Sequence, residues 1–177
     1  MTRKWKDSRG FTLVETLCAV AILVMLGLLI NTGLHLAMRS YRDLTAQSEL
    51  ELLATSLTNA LSDELRYAQR VETEAGNKLV RYHSERYNME NTGATTVIGT
   101  KEEDRQLYAN DYRILPSGAY GNGTYIIPEE DGDGEPGFQI TYQEGLFTVD
   151  LTVKQAEGEL STKAHFTVRC LNPQTTP

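Results

Sequence analysis

An unbroken apolar segment near the N-terminus constrains the fold of this chain more than any other feature. No charged residue occurs from Thr16 to Ile30. With Phe11 to Glu15 the segment has roughly twenty residues, which as a helix would span about 30 Å and cross the hydrocarbon core of a bilayer. The preceding tail has four basic residues and one acidic residue, and this excess favours the cytoplasmic side. The sequence therefore predicts a single-pass helix in the cytoplasmic membrane, with the N-terminus inside and the rest of the chain outside.

Glu15 is the unusual residue of this segment, because a carboxylate is costly inside a membrane. An acidic side chain at the centre of a spanning helix costs roughly 2.5–3.5 kcal/mol, and less near the interface. No basic residue stands beside Glu15 in the sequence. The position of this acid therefore indicates a function, and the acid requires a partner.

A basic leader, a Gly-Phe pair and Thr-Leu-Val-Glu together introduce the apolar segment, over residues 9–15. This arrangement resembles the class III signal peptide of type IV prepilins and of the pseudopilins of type II secretion. The resemblance implies that a membrane prepilin peptidase cleaves between Gly10 and Phe11 and N-methylates Phe11. It also implies that the amine of Phe11 becomes the partner of Glu15, within one subunit or between neighbouring subunits, and that this pair sets the register of a filament.

Two other kinds of N-terminal segment fit part of this pattern. An ordinary secretory signal peptide is also basic and then apolar, but it has a small-residue cleavage site after its core and no acid within it. Here Glu15 precedes the core, and nothing like Ala-x-Ala follows Ile30. An uncleaved single-pass anchor needs only a basic flank and an apolar helix that is long enough. It does not require Gly-Phe followed by an acid. The sequence favours the prepilin interpretation over both.

The apolar pattern beyond Ile30 predicts that the helix continues. From Leu34 to Ala68 apolar residues recur mostly every three or four positions, with polar residues between them. A helix from about Thr12 to about Val71 would have about sixty residues and a length of roughly 90 Å. Its first half is apolar all round and its second half is amphipathic, which is typical of a helix that leaves a membrane and packs one face on a globular head. We expect it to end by residues 74–77, where glycine and asparagine can cap it.

Alternating segments after the helix predict an antiparallel sheet. The clearest are 138–142, 147–153 and 164–168, which are separated by turn residues and form a meander with one apolar face. Shorter strands are expected at Leu79–His83, Thr95–Ile98, Leu107–Leu115 and Thr124–Ile127. The predicted fold is α+β and pilin-like, with the long helix packed on the sheet. The predicted division is a leader (1–10), a transmembrane or filament-core helix (11–33), an amphipathic helix (34–75) and an antiparallel β head (76–177).

Composition and motifs do not favour an enzyme or a nucleic-acid partner. The three histidines are scattered, and no His-Glu-x-x-His, Cys-x-x-Cys or Gly-x-Ser-x-Gly motif occurs. The formal charge is −7, which disfavours a general polyanion-binding surface. Basic and aromatic residues interleave over 81–87, but Glu85 interrupts them. Cys18 falls in the apolar segment and Cys170 near the C-terminus, so each is expected to be a free thiol.

The acidic segment 129–135 is a candidate calcium site. It holds five carboxylates in seven residues, and hard oxygen ligands suit calcium. Asp131 and Asp133 fit alternate ligand positions of an EF-hand loop and Glu135 is the next acid, but Pro136 stands where the sharp-turn glycine should be. Some pseudopilins have a calcium site in a loop of the C-terminal head, so the resemblance adds support to calcium. A solvated acidic turn is the alternative.

The resemblance implies a structural subunit, a minor pilin or pseudopilin, of a type IV filament or a secretion pseudopilus. Its partners would be prepilin peptidase, other pilin or pseudopilin subunits, an inner-membrane assembly platform and the lipid bilayer. Two alternatives stay open: a membrane-anchored adhesin or binding module that does not assemble, and a secreted enzyme with an ordinary leader. Adhesion, motility, DNA uptake and protein secretion all use this kind of N-terminus, and the head carries no motif that selects one of them.

Overall fold

A computed structural model of the chain describes residues 12–74, 79–88, 95–121, 123–128, 137–156 and 160–171. These residues form one long helix, followed by short strands and a 3₁₀ turn at Ser117–Ala119. The elements are α1 (Leu13–Arg66), β1 (Gln69–Glu74), β2 (Leu79–His83), β3 (Ile98–Thr100), β4 (Leu107–Ala109), β5 (Tyr112–Arg113), β6 (Thr124–Ile126), β7 (Gln139–Gln143), β8 (Leu146–Gln155) and β9 (Ser161–Arg169). A long apolar helix followed by antiparallel sheets confirms the predicted α+β, pilin-like fold.

The chain divides into two compact units, and α1 contributes to both of them. The first unit ends at Leu44, and every side chain described in it, from residue 12 onwards, is exposed. By length and composition, α1 is able to cross a membrane near the N-terminus. An apolar helix of this kind needs a non-aqueous environment or partner helices to cover it.

The second unit, Thr45–Pro177, contains the hydrophobic core. Within it, α1 buries side chains that recur every three or four residues and therefore lie on one helical face. These are Leu50, Leu53, Ala54, Leu57, Leu61, Glu64 and Leu65. The apolar members of this set form a single core cluster with residues from the sheets. The predicted packing of the amphipathic half of the helix on the sheet is confirmed.

The largest sheet is built around β8, which is its central strand. Strand β9 pairs with β8 along almost its whole length, from Leu146↔Arg169 to Lys154↔Ser161. On the other edge, β7 pairs with the first half of β8 and β6 with its end. The inward side chains of β8 alternate as predicted, and the fully buried ones are Phe147, Val149, Leu151 and Val153. The predicted antiparallel meander of β7, β8 and β9 is therefore confirmed.

Two smaller sheets complete the second unit. Strands β1 and β2 form an antiparallel pair, and β3, β4 and β5 form a three-stranded antiparallel sheet. A bridge between Tyr82 and Thr96 links β2 to the segment before β3. The strand predicted over Leu107–Leu115 is in fact the hairpin β4–β5, and the strand predicted from Thr95 begins only at Ile98.

The predicted end of the helix near Val71, within the amphipathic helix assigned to 34–75, is wrong. Helix α1 ends at Arg66, and Gln69–Glu74 forms β1 instead. The last turn tightens, because the Tyr67 N–H donates to the Glu64 carbonyl and the Ala68 N–H donates to the Leu65 carbonyl, each at 3.3 Å. Val71, predicted as the approximate end of the helix, is instead a buried residue of this strand.

Candidate functional site

The N-terminus of α1 contains the described part of the predicted processing and assembly site. The backbone N–H of Thr12 donates to Glu15 Oε2 at 3.0 Å, and the Thr12 hydroxyl lies 3.1 Å from the same oxygen. In return, the backbone N–H of Glu15 donates to Thr12 Oγ1 at 3.3 Å. This reciprocal pattern is a capping box, with Thr12 as the N-cap and Glu15 at the third helical position. Glu15 therefore has a partner within its own chain, although no basic residue stands beside it in the sequence.

Sequence analysis did not assign a role to Thr12, although a readable signal was present. A threonine followed three residues later by a glutamate, just before an apolar run, is the signature of a capping box. The carboxylate also lies in the first turn of the helix, where the partial positive charge of the helix end stabilises an anion. Two local effects thus reduce the cost of an acid at this position.

The other processing residues, Gly10 and Phe11, lie outside the described residues. The proposed contact between the Phe11 amine and Glu15 therefore stays a prediction. In the sequence Phe11 directly precedes Thr12. Cleavage after Gly10 would place a free amine one residue from the threonine that binds the Glu15 carboxylate.

The surface that follows Glu15 along α1 is apolar and exposed. Twelve large apolar side chains between Leu13 and Ile30 are 48–80 % exposed: Leu13, Val14, Leu17, Val20, Ile22, Leu23, Val24, Met25, Leu26, Leu28, Leu29 and Ile30. The hydroxyls of Thr16 and Thr32 donate to the Leu13 and Leu28 carbonyls at 2.8 Å. Because these hydroxyls are satisfied within the helix, they do not prevent its burial among lipids or other helices.

The predicted metal ligands Asp131, Asp133 and Glu135 also lie outside the described residues, and calcium binding stays a prediction. Among the residues that the structure does describe, no cluster of three or more His, Cys, Asp or Glu side chains is suited to a metal ion. His165 Nδ1 lies 2.7 Å from Asp150 Oδ1 across β8 and β9, as an exposed cross-strand pair. Cys18 is exposed and Cys170 is buried, and both are free thiols as predicted.

The second unit contains a cavity of about 620 Å³ that the sequence did not reveal. Apolar side chains from α1, β2, β3 and β7 line it, including Leu65, Ile98 and Ile140, and Lys101, Glu102 and Arg105 supply charges of both signs. The Tyr82 hydroxyl, on another lining residue, donates to the buried Glu64 carboxylate at 3.3 Å. Burial and the nearby Glu64 raise the pKa of Tyr82 above its ordinary value. The lining residues come from distant parts of the chain, so no local motif could have predicted the cavity.

Comparison with known proteins bears on the N-terminal region. Residues 5–31 match the family model of the prokaryotic N-terminal methylation motif. No curated protein and no solved structure matches the chain. The match includes Gly10, Phe11, Thr12 and Glu15, and it supports a pilin-like or pseudopilin precursor that prepilin peptidase processes. The N-terminal region of this chain therefore carries the prokaryotic N-terminal methylation motif, consistent with the class III signal peptide of type IV pilins and pseudopilins.

Proposed function

We propose that this protein is a structural subunit, a minor pilin or pseudopilin, of a type IV pilus-like filament or a secretion pseudopilus. It enters the cytoplasmic membrane with its N-terminus inside and its head outside. Prepilin peptidase cuts between Gly10 and Phe11 and methylates the new amine. The subunit then leaves the bilayer at an inner-membrane assembly platform and joins other subunits through its apolar helix.

One observation carries this proposal: the first part of α1 is apolar and uncovered. No side chain described from Thr12 to Leu44 is buried. An exposed apolar surface of this size on a folded protein indicates a membrane or a protein partner. The methylation motif spans residues 5–31 and so includes the start of this helix, and it supports a helix that occupies both environments in turn, first lipid and then the core of a filament.

The capping box gives Glu15 a role before and after assembly. In the single subunit, the Thr12 N–H and hydroxyl satisfy the carboxylate at the membrane interface. In the filament, the carboxylate pairs with the methylated amine of Phe11 on a neighbouring subunit, which neutralises both charges in an apolar core and fixes the stagger between helices. Glu15 thus exchanges neutral donors for a cation, so that the carboxylate keeps a charge-assisted hydrogen bond and its charge is also neutralised.

Mass spectrometry of the membrane-bound protein tests the processing step. We expect an N-terminus at Phe11 that carries one methyl group. An intact Met1 would instead indicate an uncleaved anchor, and cleavage after Ile30 would indicate ordinary secretion.

The Glu15→Ala variant tests the assembly step. It should be cleaved at Gly10 but should be depleted from sheared filaments, because the register contact is lost. Thr12→Ser is the matched control, since it keeps a hydroxyl that can cap the helix. Entry of Glu15→Ala into filaments at the normal level would show that the acid has no register role.

A membrane-anchored binding module is the second candidate, and the cavity in the second unit is the observation that favours it. About 620 Å³ lies within the range of small-molecule sites. Such a module would keep its membrane helix and never enter a filament. Finding the protein in the membrane alone, with none in sheared filaments, would favour this candidate.

A further inference from the structure

The C-terminal end of α1 forms a concave surface with the end of β9. Its volume is about 310 Å³. We call this surface the arginine socket, and its main residues are Ser62, Arg66, Tyr67, Thr167, Arg169 and Leu171. The methylation motif and the apolar helix do not account for it.

Two long-range hydrogen bonds fix the two sides of the arginine socket to each other. The Leu171 N–H donates to the Arg66 carbonyl at 2.9 Å, which satisfies a carbonyl of the last helical turn. The Cys170 thiol donates to the Ala68 carbonyl, also at 2.9 Å. Because these bonds join residues that are far apart in the sequence, the surface is preorganised, and little ordering is needed when a partner binds.

The charges of the socket indicate the chemistry of its partner. Arg66 and Arg169 are both exposed, and neither has an ion-pair partner in the described part of the chain. Beside them, Tyr67 is 65 % exposed and Leu171 is 64 % exposed. Arginine and tyrosine are enriched among the residues that contribute most to protein interfaces. Two arginines next to uncovered apolar side chains fit a carboxylate that is adjacent to an apolar residue.

A carboxylate next to an exposed apolar side chain occurs on another part of α1 in the same chain. Between Thr45 and Arg66, a stretch that the structure describes completely, Leu52 is the one large apolar side chain exposed to solvent, at 69 %. It follows the exposed Glu51, whose carboxylate accepts a hydrogen bond from Gln47 at 3.1 Å. We propose that the Glu51–Leu52 pair of one copy docks in the arginine socket of the next copy.

The spacing of the two surfaces gives an open, head-to-tail contact. Glu51 and Arg66 are separated by about 22 Å along the helix axis, at 1.5 Å per residue. One copy can therefore donate its Glu51–Leu52 pair and accept another copy's pair at the same time. Copies that share one orientation across a membrane cannot exchange this contact reciprocally, so its repetition produces a filament or a ring rather than a closed twofold dimer. The inference rests on the proposed function, because it needs subunits of this chain to meet in a filament.

Disulfide cross-linking of the full-length protein in membranes tests the contact directly. In a Cys18→Ser background, Thr55→Cys is placed one turn after Glu51 and Ser62→Cys in the socket. Within one helix these positions are about 10 Å apart, too far for a disulfide, so a bond between positions 55 and 62 must join two copies. After oxidation the double variant should give a ladder of dimers, trimers and longer species. Each single variant should give no such ladder.

Charge exchange in the same background identifies the partner. Arg66→Glu combined with Arg169→Glu should lower the cross-linked fraction by at least about tenfold, since each 1.4 kcal/mol of contact energy is worth a factor of ten. Adding Glu51→Arg should restore the fraction. Arg86→Glu, at an exposed turn after β2, is the control and should have no effect. Unchanged thermal unfolding of each variant shows that the head is still folded.

Two results would overturn the inference. A ladder that survives reversal of both arginines means that the socket is not an interface. A ladder that is lost but not restored by Glu51→Arg means that the socket binds a different acidic partner. Neither result affects the proposed function, which depends on the methylated Phe11 and on the Glu15→Ala variant.

Discussion

The packing of α1 on the head predicts a large and selective loss of stability in the Leu57→Ala variant. Leu57 is fully buried, on the helical face that forms the core. Removing three buried carbon atoms costs about 2.4 kcal/mol, at roughly 0.8 kcal/mol each. A residual cavity of about 50 Å³ adds about 1 kcal/mol, at roughly 24 cal/mol per Å³. The free energy of unfolding should therefore fall by about 3–4 kcal/mol.

Leu52→Ala is the matched control, because it removes the same atoms from the same helix. Leu52 is 69 % exposed, so its truncation should change stability by less than about 0.5 kcal/mol. Circular dichroism of the detergent-solubilised protein measures both variants during heating. At about 3–5 °C per kcal/mol for a domain of this size, Leu57→Ala should lower the midpoint by about 10–20 °C. Equal midpoints for the two variants would refute the packing of this helical face on the sheet.

Two further predictions concern single positions in the head. A Cβ added by Gly137→Ala would collide with the Pro128 carbonyl group and lie 2.7 Å from the Ile127 carbonyl oxygen. In thermal unfolding, Gly137→Ala should lower the free energy of unfolding by about 1–3 kcal/mol. Gly118→Ala is the control and should be nearly neutral, because there is open space around the added Cβ. Equal effects of the two variants would contradict the steric argument. Burial raises the pKa of Tyr120 from 10.0 to about 12. The stability that depends on its protonated hydroxyl is therefore complete below pH 10, and roughly 3 kcal/mol of it is lost as the pH rises through 12. Denaturant unfolding should show a shallower alkaline decline for Tyr120→Phe, and an unchanged slope would contradict this.

The apolar pattern predicted the core of the fold well, because burial follows local periodicity. The buried face of α1 and the alternating side chains of β8 were both readable from spacing alone. The turn between β7 and β8 was readable too. Glu144 and Gly145 have φ values of 51° and 81°, and a two-residue hairpin turn requires such left-handed conformations.

The end of α1 could not be predicted, because distant residues determine it. The spacing of Ala68 and Val71 continues the helical pattern, and both residues are buried. Yet the backbone of β1 is paired with β2, and the Arg66 carbonyl receives its hydrogen bond from Leu171. Here pairing with a distant strand overrides the helical pattern, because the strand buries the same apolar side chains that a longer helix would bury.

The candidate site was predicted from residue types, but its internal geometry was not. The cost of a carboxylate inside a membrane indicated that Glu15 needs a partner. The sequence showed no charged partner beside it, and Thr12, whose backbone and side chain both bind the carboxylate, was overlooked. The arginine socket was not readable either, because Arg66 and Arg169 are far apart in the sequence and meet only in the folded chain, where the end of α1 is bonded to the residues that follow β9.

The burial profile of α1 explains how one continuous helix can serve two different tasks. Up to Leu44 no described side chain is buried, and from Leu50 onward buried residues recur every turn. Substitutions in the first part remove no buried contact from the described chain. We therefore expect them to affect membrane insertion and subunit association rather than the stability of the head. Substitutions on the buried face of the second part remove core contacts and destabilise the head. Because the described core of the head uses no side chain from the first part of α1, the head can diverge while that part keeps the requirements that the methylation motif imposes.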